Sequence, residues 1–333
     1  MIQQRLLAKL QKITTGSYQS TDFIIADAKD GDMAFGIPAP GPVTDKISER
    51  RFKSRAEYLQ NMTLMVQSGL IDILLMSASS AENLTEAGLF KTSDVTPAIR
   101  FNDTTDIWSA RGSSYRDHPS HPFESVDQSE LSNLCNLGLY SVTFYNDLES
   151  DLRSLKQYRE FRRQARENQL HHFLEVFNPA YDIGLSQTPQ KTELGDYIND
   201  MILKTLAGVT KKDSPLFLKM QFNGHRAMQD LAAYDPENLV VGILGGAAGT
   251  TRDTFELAKQ AEQAGARVAL FGRKINLAEA PLELVRLMRS VIEESINSEQ
   301  AVKDYHRYLE AHQITPQRSL SDDLQVTDPV LQS

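Results

Sequence analysis

The order of apolar and amphipathic segments along the chain predicts a (β/α)8 TIM barrel with an N-terminal helix and a C-terminal helical extension. Three observations favour this fold. Eight apolar segments of strand length alternate with helical segments, the last two strands end in glycine turns, and 333 residues match one barrel with extensions. We therefore expect a single domain over residues 1–333, with the barrel at about residues 22–296.

The two ends of the chain lie outside the predicted barrel. Residues 2–13 place Leu6, Leu7 and Leu10 on one helical face, which predicts a helix that closes the bottom of the barrel or packs on its side. Residues 297–333 form the extension, a polar helix followed by a tail from Thr315. This tail either serves as an arm between subunits or is loosely attached.

Five strands precede the segment that carries the most chemical information. They are predicted as apolar runs bounded by polar or glycine-containing turns, at residues 23–27, 71–79, 96–103, 140–145 and 171–179. Between them the spacing of apolar residues predicts helices at about 54–67, 81–87, 148–168 and 193–206. The long polar stretch 104–129 follows the third strand, where barrel loops shape a substrate pocket.

Three further strands complete the count between residues 214 and 275. The first, SPLFLKMQFNG, is an apolar run bounded by Pro215 and Gly224, and it holds one lysine, Lys219. A buried ammonium must be paired or neutralised, and a neutral amine is a nucleophile toward carbonyl groups. Lys219 is therefore the leading candidate for a catalytic residue.

The last two strands end in turns suited to an anion. A strand at 239–244 leads into the pair Gly245 and Gly246, where backbone N–H groups can approach an anion closely, and then into a helix at about 250–263. The final strand ends at Gly272, with Arg273 beside it. Loops after the last two strands form the phosphate site of many (β/α)8 barrels, so we expect a phosphorylated substrate here. A closing helix at about 277–296 completes the barrel.

The combination LKMQFNG, ILGGAAGTT and LFGRKI, in this order and spacing, resembles the class I, Schiff-base aldolases of the DhnA and DeoC type. These include archaeal-type fructose-bisphosphate aldolases and an autoinducer-2 processing thiolase. The resemblance implies that Lys219 forms an imine with a sugar phosphate or keto-phosphate, while the glycine turns and Arg273 hold phosphate. An imine mechanism needs no metal and no cofactor, and the expected reaction is cleavage or formation of a carbon–carbon bond.

The resemblance also assigns a role at the end of the first strand. In the family an aspartate there is commonly followed by histidine and glycine, and Asp27 matches the aspartate, which implies that it orients a substrate hydroxyl. Ala28 and Lys29 stand where the family has the histidine and glycine. Lys29 either lies near Lys219 and activates it by like-charge repulsion, contacts phosphate, or points to solvent.

Three more residues on middle strands are candidates for the site. Alternation along the fourth strand predicts Ser141, Thr143 and Tyr145 inside the barrel, and Tyr145 matches the catalytic tyrosine of the archaeal-type aldolases. The other interpretation is a structural tyrosine with a satisfied hydroxyl. Glu175 lies in an apolar strand and either pairs with Lys219 or Lys29 or anchors a structural network. Arg100, at the end of the third strand, is a candidate for a second phosphate or a carboxylate.

Composition and charge restrict the class of partner. The net charge of −9 and a pI near 5.4 argue against nucleic acid or an anionic membrane as the main partner, and no run of 18 apolar residues is present. One cysteine, Cys135, excludes an intrachain disulfide framework. We expect a cytoplasmic homo-oligomer that acts on a small molecule. The alternatives are a lysine-dependent thiolase or transferase, a barrel isomerase or synthase without a covalent lysine, and a non-catalytic sugar-phosphate-binding homologue.

Overall fold

A computed structural model describes residues 1–43, 51–131, 133–187, 192–246 and 249–332. Eight parallel strands close into a barrel, and this confirms the predicted (β/α)8 fold. In chain order the strands of the described residues, of which β4 and β5 form a separate small sheet, are Ile24–Lys29 (β1), Ile73–Met76 (β2), Thr96–Arg100 (β3), Asn102–Thr104 (β4), Pro122–Glu124 (β5), Leu137–Thr143 (β6), His171–Phe177 (β7), Leu218–Met220 (β8), Gly242–Leu244 (β9) and Val268–Phe271 (β10). Around the barrel the order is β1, β10, β9, β8, β7, β6, β3 and β2.

Helices surround the barrel and extend it at both ends. They are Gln4–Thr14 (α1), Asp32–Phe35 (α2), Arg55–Ser68 (α3), Ala78–Glu86 (α4), Leu148–Glu167 (α5), Leu194–Leu206 (α6), His225–Tyr234 (α7), Thr251–Gln263 (α8), Arg273–Asn276 (α9), Pro281–Ile292 (α10), Ser298–Ala311 (α11) and Leu320–Asp323 (α12). In the ranges that the structure describes, every helix is too short or too polar to cross a lipid bilayer.

Strand alternation divides the apolar residues into two cores. Side chains that point into the barrel, such as Ile24, Ala26 and Leu139, form an inner cluster. Side chains on the other face, such as Ile25 and Tyr140, join the helices in an outer cluster. Which cluster a residue joins therefore indicates whether its side chain points inward or outward.

Helix α1 closes the bottom of the barrel, as one of the two predicted alternatives states. Leu6 and Ile13 are buried in the inner cluster and Leu10 packs against it. Leu7, which the sequence pattern places on the same face, is instead exposed to solvent. The buried positions follow the i, i+4, i+7 spacing of one helical face, and Leu7 lies to the side of it.

The segment after β3 is ordered by its own small sheet. Strands β4 and β5 pair antiparallel, and the ring of Trp108 packs edge-on against Tyr115 and Phe123. The Asn102 side chain exchanges two hydrogen bonds with the backbone of Ser141 and so ties this sheet to β6. The loop consequently has a defined position above the C-terminal ends of the strands.

The C-terminal tail packs against its own barrel, an arrangement that neither sequence-based alternative describes. The backbone N–H of Thr251, at the start of α8, donates to the carboxylate of Asp323. Asp253, in the first turn of α8, accepts hydrogen bonds from the backbone of Thr327 and Asp328. The tail is thus attached to the helix that follows β9.

Candidate active site

A cavity of about 320 Å³ opens at the C-terminal ends of the barrel strands. Asp30, Arg100, Glu175 and Lys219 contribute its charged inner surface, and all four side chains are almost fully buried. Arg100, Glu175 and Lys219 point inward because each lies two residues beyond a residue of the inner cluster, which for Lys219 is Phe217, just before β8. The strand pattern therefore brings two cations and two carboxylates together in one cavity.

The amine of Lys219 contacts one carboxylate directly. Its Nζ lies 2.5 Å from Oε1 of Glu175, and the two residues are Cα partners in the register of β7 and β8. Of the two cationic partners predicted for Glu175, the structure places it with Lys219. The other oxygen, Oε2, accepts hydrogen bonds from Arg100 at 3.1 Å and from the hydroxyl of Ser141 at 2.7 Å. Glu175 therefore lies between the amine and the guanidinium.

The donors of Arg100 are directed to protein groups. Its Nε donates to Asp30 at 2.5 Å, Nη1 to the hydroxyl of Ser141 at 2.9 Å and Nη2 to Glu175. Burial would raise the pKa of Asp30, but the charges of Arg100 and Lys219 outweigh it, and the pKa of Asp30 lies below its usual value. In this arrangement Arg100 neutralises buried carboxylates.

Asp27 and Lys29 lie on the outer face of β1. Ile24 and Ala26 of this strand belong to the inner cluster and Ile25 to the outer one, so the odd-numbered positions point toward the helices. Lys29 Nζ lies 3.1 Å from Oδ1 of Asp27, and both side chains are buried. Burial raises the pKa of Asp27, and the charge of Lys29 opposes that shift. The structure therefore places this pair behind the strand and outside the lining of the cavity.

Asp30, the residue directly after β1, lines the cavity, and it is not among the site residues predicted from the sequence. The signal was available, because Ile24, Ala26, Ala28 and Asp30 share one face of an alternating strand. The predicted strand ends at residue 27, so its alternation does not extend as far as Asp30, whereas the observed strand continues to Lys29. The pair of Asp27 and Lys29 lies on the buried outer face of this longer strand.

Tyr145 lies two residues after the end of β6. As predicted, Ser141 of this strand points into the barrel, where it contacts Arg100 and Glu175. The hydroxyl of Tyr145 donates to Oδ2 of Asp106 at 3.0 Å, and the hydroxyl of Thr143 donates to the same oxygen at 2.9 Å. Burial and the nearby charge of Asp106 raise the pKa of Tyr145. Tyr145 is outside the lining of the cavity, whereas Ile107, next to Asp106 in sequence, is part of it.

The predicted phosphate residues Gly245, Gly246, Gly272 and Arg273 all line the cavity. Gly246 has a φ of 64°, and a Cβ at Gly272 would approach the backbone oxygen of Ala28 to 3.0 Å. Arg273 is exposed at the mouth, where its Nη2 donates to the carbonyl of Gly246 at 3.1 Å. Glycine is thus required at these turns by conformation and by close packing.

The N-terminus of α8, the helix that follows the Gly245 turn, is occupied by the chain itself. The amide of Thr250 donates to Asp253, and the amide of Thr251 donates to Asp323 of the tail. Intramolecular carboxylates therefore satisfy these two helix-terminal donors. An anionic ligand in the cavity would meet the glycine turns and Arg273.

Two other polar residues of the cavity wall hold loops in place. The hydroxyl of Tyr58 donates to the backbone carbonyl of Lys29 at 2.8 Å, and the side-chain amide of Asn276 donates to the backbone carbonyl of Ala39 at 2.8 Å. Neither residue stands out in the sequence. Among the residues with described positions, no group of three or more histidine, cysteine, aspartate or glutamate side chains could hold a metal ion.

Comparison with solved structures identifies proteins with the same barrel. An archaeal fructose 1,6-bisphosphate aldolase is 13% identical over 87% of this chain and 99% of its own, with a TM-score of 0.61. An archaeal fructose-1,6-bisphosphate aldolase with its catalytic lysine covalently bound to a carbinolamine intermediate is 14% identical over 86% and 99%, also with a TM-score of 0.61.

A protein from Corynebacterium glutamicum is 16% identical over 88% of this chain and 93% of its own, with a TM-score of 0.57. No protein-family model and no curated protein matches the sequence. At these identities the comparison shows the fold, and the function must be argued from the site.

Proposed function

We propose that this protein is a class I aldolase, which cleaves or forms a carbon–carbon bond of a phosphorylated keto compound through a Schiff base on Lys219. One observation carries the proposal: the Lys219 amine lies inside the cavity, 2.5 Å from the carboxylate of Glu175. A lysine at the end of a barrel strand, with an adjacent base, is suited to attack a carbonyl carbon. The likeness in fold to an aldolase with a covalent lysine intermediate supports the same chemistry.

The first stage forms the imine. Glu175 accepts a proton from the Lys219 ammonium, and the neutral nitrogen adds to the carbonyl carbon to give a carbinolamine. Proton transfer to its hydroxyl releases water and leaves a protonated imine. Glu175 can return that proton, because its carboxylate contacts the reacting nitrogen.

The second stage breaks the carbon–carbon bond. A base removes the proton of the substrate hydroxyl at the departing carbon, the bonding electrons move to the imine, and an aldehyde leaves while an enamine remains. We assign this proton transfer to Glu175 and the orientation of the hydroxyl to Asp30. The hydroxyl of Tyr145 donates a hydrogen bond to Asp106, and Asp27 faces away from the cavity. These positions argue against a catalytic role for Tyr145 and against orientation of the substrate hydroxyl by Asp27.

The phosphate group is expected at the glycine turns. Gly245, Gly246 and Gly272 allow a close approach of the backbone, and Arg273 supplies a cation at the mouth. Arg100 is not assigned to phosphate, because Nε, Nη1 and Nη2 each donate to a protein group.

Reductive trapping tests the proposal. The protein is incubated with hydroxyacetone phosphate, a three-carbon keto-phosphate, and treated with borohydride, which converts an imine to a stable secondary amine. We expect a mass increase on the peptide that contains Lys219. Lys219→Arg keeps the charge beside Glu175 but cannot form the imine, so it should show no increase. Lys211→Arg, at an exposed lysine, is the matched control and should behave like the wild type.

Exchange of substrate protons in D2O adds a test of the enamine. The wild type should exchange protons on the carbon beside the ketone, as followed by NMR, and Lys219→Arg should not. If wild-type protein shows neither trapping nor exchange, the aldolase proposal fails, and a barrel protein that binds a phosphorylated ligand without covalent chemistry is favoured. Trapping that persists in Lys219→Arg would assign the imine to another lysine.

A further inference from the structure

Most polar side chains of the cavity occupy one part of the barrel ring, and Asp30, which follows β1, is hydrogen-bonded to Arg100 in that part. Strands β3, β6, β7 and β8 are consecutive neighbours in the barrel. At the top of these strands the inward side chains are polar: Arg100, Ser141, Glu175 and Lys219. The next three strands around the ring, β9, β10 and β1, line the cavity with apolar side chains: Leu244, Leu270 and Ala28. Lys219 lies at the border, because β8 pairs with β9.

The predicted phosphate residues lie above this apolar part, and the reactive amine lies at its edge. The predicted phosphate residues follow β9 and β10, whereas the amine lies on β8. A ligand that places its carbonyl at Lys219 and its anionic group at Gly245 and Arg273 must therefore extend along Leu244 and Leu270. The route follows from the strand order β8, β9, β10.

Helix α2, the last residue of β7 and adjacent loops continue the apolar surface. The additional apolar residues of the wall are Ala34, Phe35, Pro38, Ala39, Ile107, Phe177 and Leu277. The remaining polar residues of the wall, Tyr58 and Asn276, donate to the backbone carbonyls of Lys29 and Ala39. Among the described residues that line the cavity, few side-chain polar groups are left to bind hydroxyls in the middle of a ligand.

We infer that the substrate is a carbonyl compound with an alkyl or aryl segment between its carbonyl and its anionic group, and that the site discriminates against polyhydroxylated sugar phosphates. The inference rests on the proposed imine chemistry at Lys219. A hydroxyl that moves from water to an apolar wall loses its hydrogen bonds, and the free-energy cost of that loss weakens binding. A saturated segment gains from the same wall through the hydrophobic effect.

A matched pair of probes tests the inference. Both are five-carbon methyl ketones with a terminal phosphate: one has a saturated chain, and the other carries hydroxyls on the third and fourth carbons, between the ketone and the phosphate. Phosphorylation of the terminal oxygen prevents furanose formation, so both present an open-chain ketone. We expect half-maximal borohydride trapping at Lys219 to need a concentration of the saturated probe at least about tenfold lower than that of the hydroxylated probe.

A pair of variants links the preference to the wall. Leu244→Asn places a hydrogen-bonding group beside the route and should reduce the preference for the saturated probe. Leu244→Met keeps the wall apolar at similar volume and should retain it. Circular dichroism and thermal unfolding show whether Leu244→Asn is folded; if it is not, the wild-type comparison decides alone.

The outcomes separate the inference from the proposed function. A wild-type preference for the saturated probe supports the inference. Equal or better trapping of the hydroxylated probe overturns it, while the imine chemistry stands. The absence of trapping with both probes overturns the inference, and if hydroxyacetone phosphate is not trapped either, or trapping is equal in Lys219→Arg, the proposed function fails with it.

Discussion

Buried charges at the top of the barrel are balanced by direct contact. Glu175 contacts Lys219 and Arg100, and Arg100 also contacts Asp30, so no one of these four charges is buried alone. Removing one partner from a buried pair costs about 3–5 kcal/mol, because the other charge stays buried without compensation. The cavity therefore combines a reactive amine with a network that the folded state depends on.

Asp103 is a buried carboxylate at the edge of this network. It accepts hydrogen bonds from the backbone of Thr104 at 2.9 Å and from the Trp108 indole at 2.8 Å. Burial raises the pKa of Asp103 to about 6, although Arg100, with Nη1 at 3.9 Å, opposes the shift. Asp103 thus joins the loop that carries Trp108 to the charged centre of the site.

The raised pKa of Asp103 predicts a pH dependence of stability. Between about pH 4 and pH 6 the folded state holds the proton and the unfolded chain releases it, so rising pH destabilises the fold through this residue. Relative to Asp103→Asn, the wild type should lose on the order of 2 kcal/mol across this window. Urea unfolding at several pH values measures the difference. Parallel curves for the two proteins would contradict the prediction.

At the scale of elements, β7 carries different chemistry on its two faces. Glu175 points into the cavity, while His172 points outward to α5 and is buried there. Its Nε2 lies 2.8 Å from the hydroxyl of Tyr158, and its ring packs edge-on against Tyr158 and Phe161. The histidine thereby connects the strand to the helix that covers it.

Because His172 is buried, acid should weaken the contact between β7 and α5. Burial, with a smaller contribution from Arg162, lowers the pKa of His172 to about 3. Below about pH 6.5 the unfolded chain takes up a proton that the folded state excludes, so stability falls as pH falls. The loss should reach roughly 3 kcal/mol by pH 4.

The variant His172→Gln should remove most of this acid sensitivity, as measured by thermal or urea unfolding between pH 7 and pH 4. Glutamine stays neutral and retains a polar group toward Tyr158. His171→Gln, at the exposed neighbour, is the matched control and should keep the wild-type profile. An unchanged slope in His172→Gln would mean that the acid sensitivity arises elsewhere.

At the scale of the whole molecule, segments from both ends of the chain hold the barrel. At the bottom, Asp72 is fully buried and pairs with Arg5 at 3.1 Å and Lys9 at 3.0 Å from α1, and with Arg289 at 2.9 Å from α10. At the top, the tail holds the start of α8 through Asp323. Contacts between residues far apart in sequence thus close both ends of the barrel.

Loss of the Asp72 charge should destabilise the whole barrel. Asp72→Asn leaves three cations around a buried amide, and we expect a decrease of about 3–5 kcal/mol in the free energy of unfolding. Lys303→Met removes a cation from an exposed pair with Glu299, in which the two side chains are 43% and 52% exposed, and should change stability by less than about 1 kcal/mol. Chemical denaturation of both variants gives the comparison, and similar small effects would show that the Asp72 cluster is not essential.

Local patterns in the sequence determined the barrel, the lysine and the glycine turns. Apolar runs of strand length, glycine at strand ends and one lysine in an apolar strand are signals that a few adjacent residues carry. Lys219, Gly245 and Gly272 therefore lie on the cavity that the structure shows. The sequence predicts two possible cationic partners for Glu175, because periodicity indicates which face of a strand a residue occupies but not which side chain of the adjacent strand it contacts.

Only the tertiary structure decided which charges meet. Arg100 contacts carboxylates 70 and 75 residues away, and Thr251 donates to a carboxylate 72 residues later in the chain. These contacts exist because closing the barrel brings the ends of distant strands together, and no local pattern records them. The same closure buries Asp27 with Lys29 behind β1 and directs Asp30 to the cavity, because Ile24 and Ala26 pack inside the barrel and alternation places the odd-numbered residues on the other face.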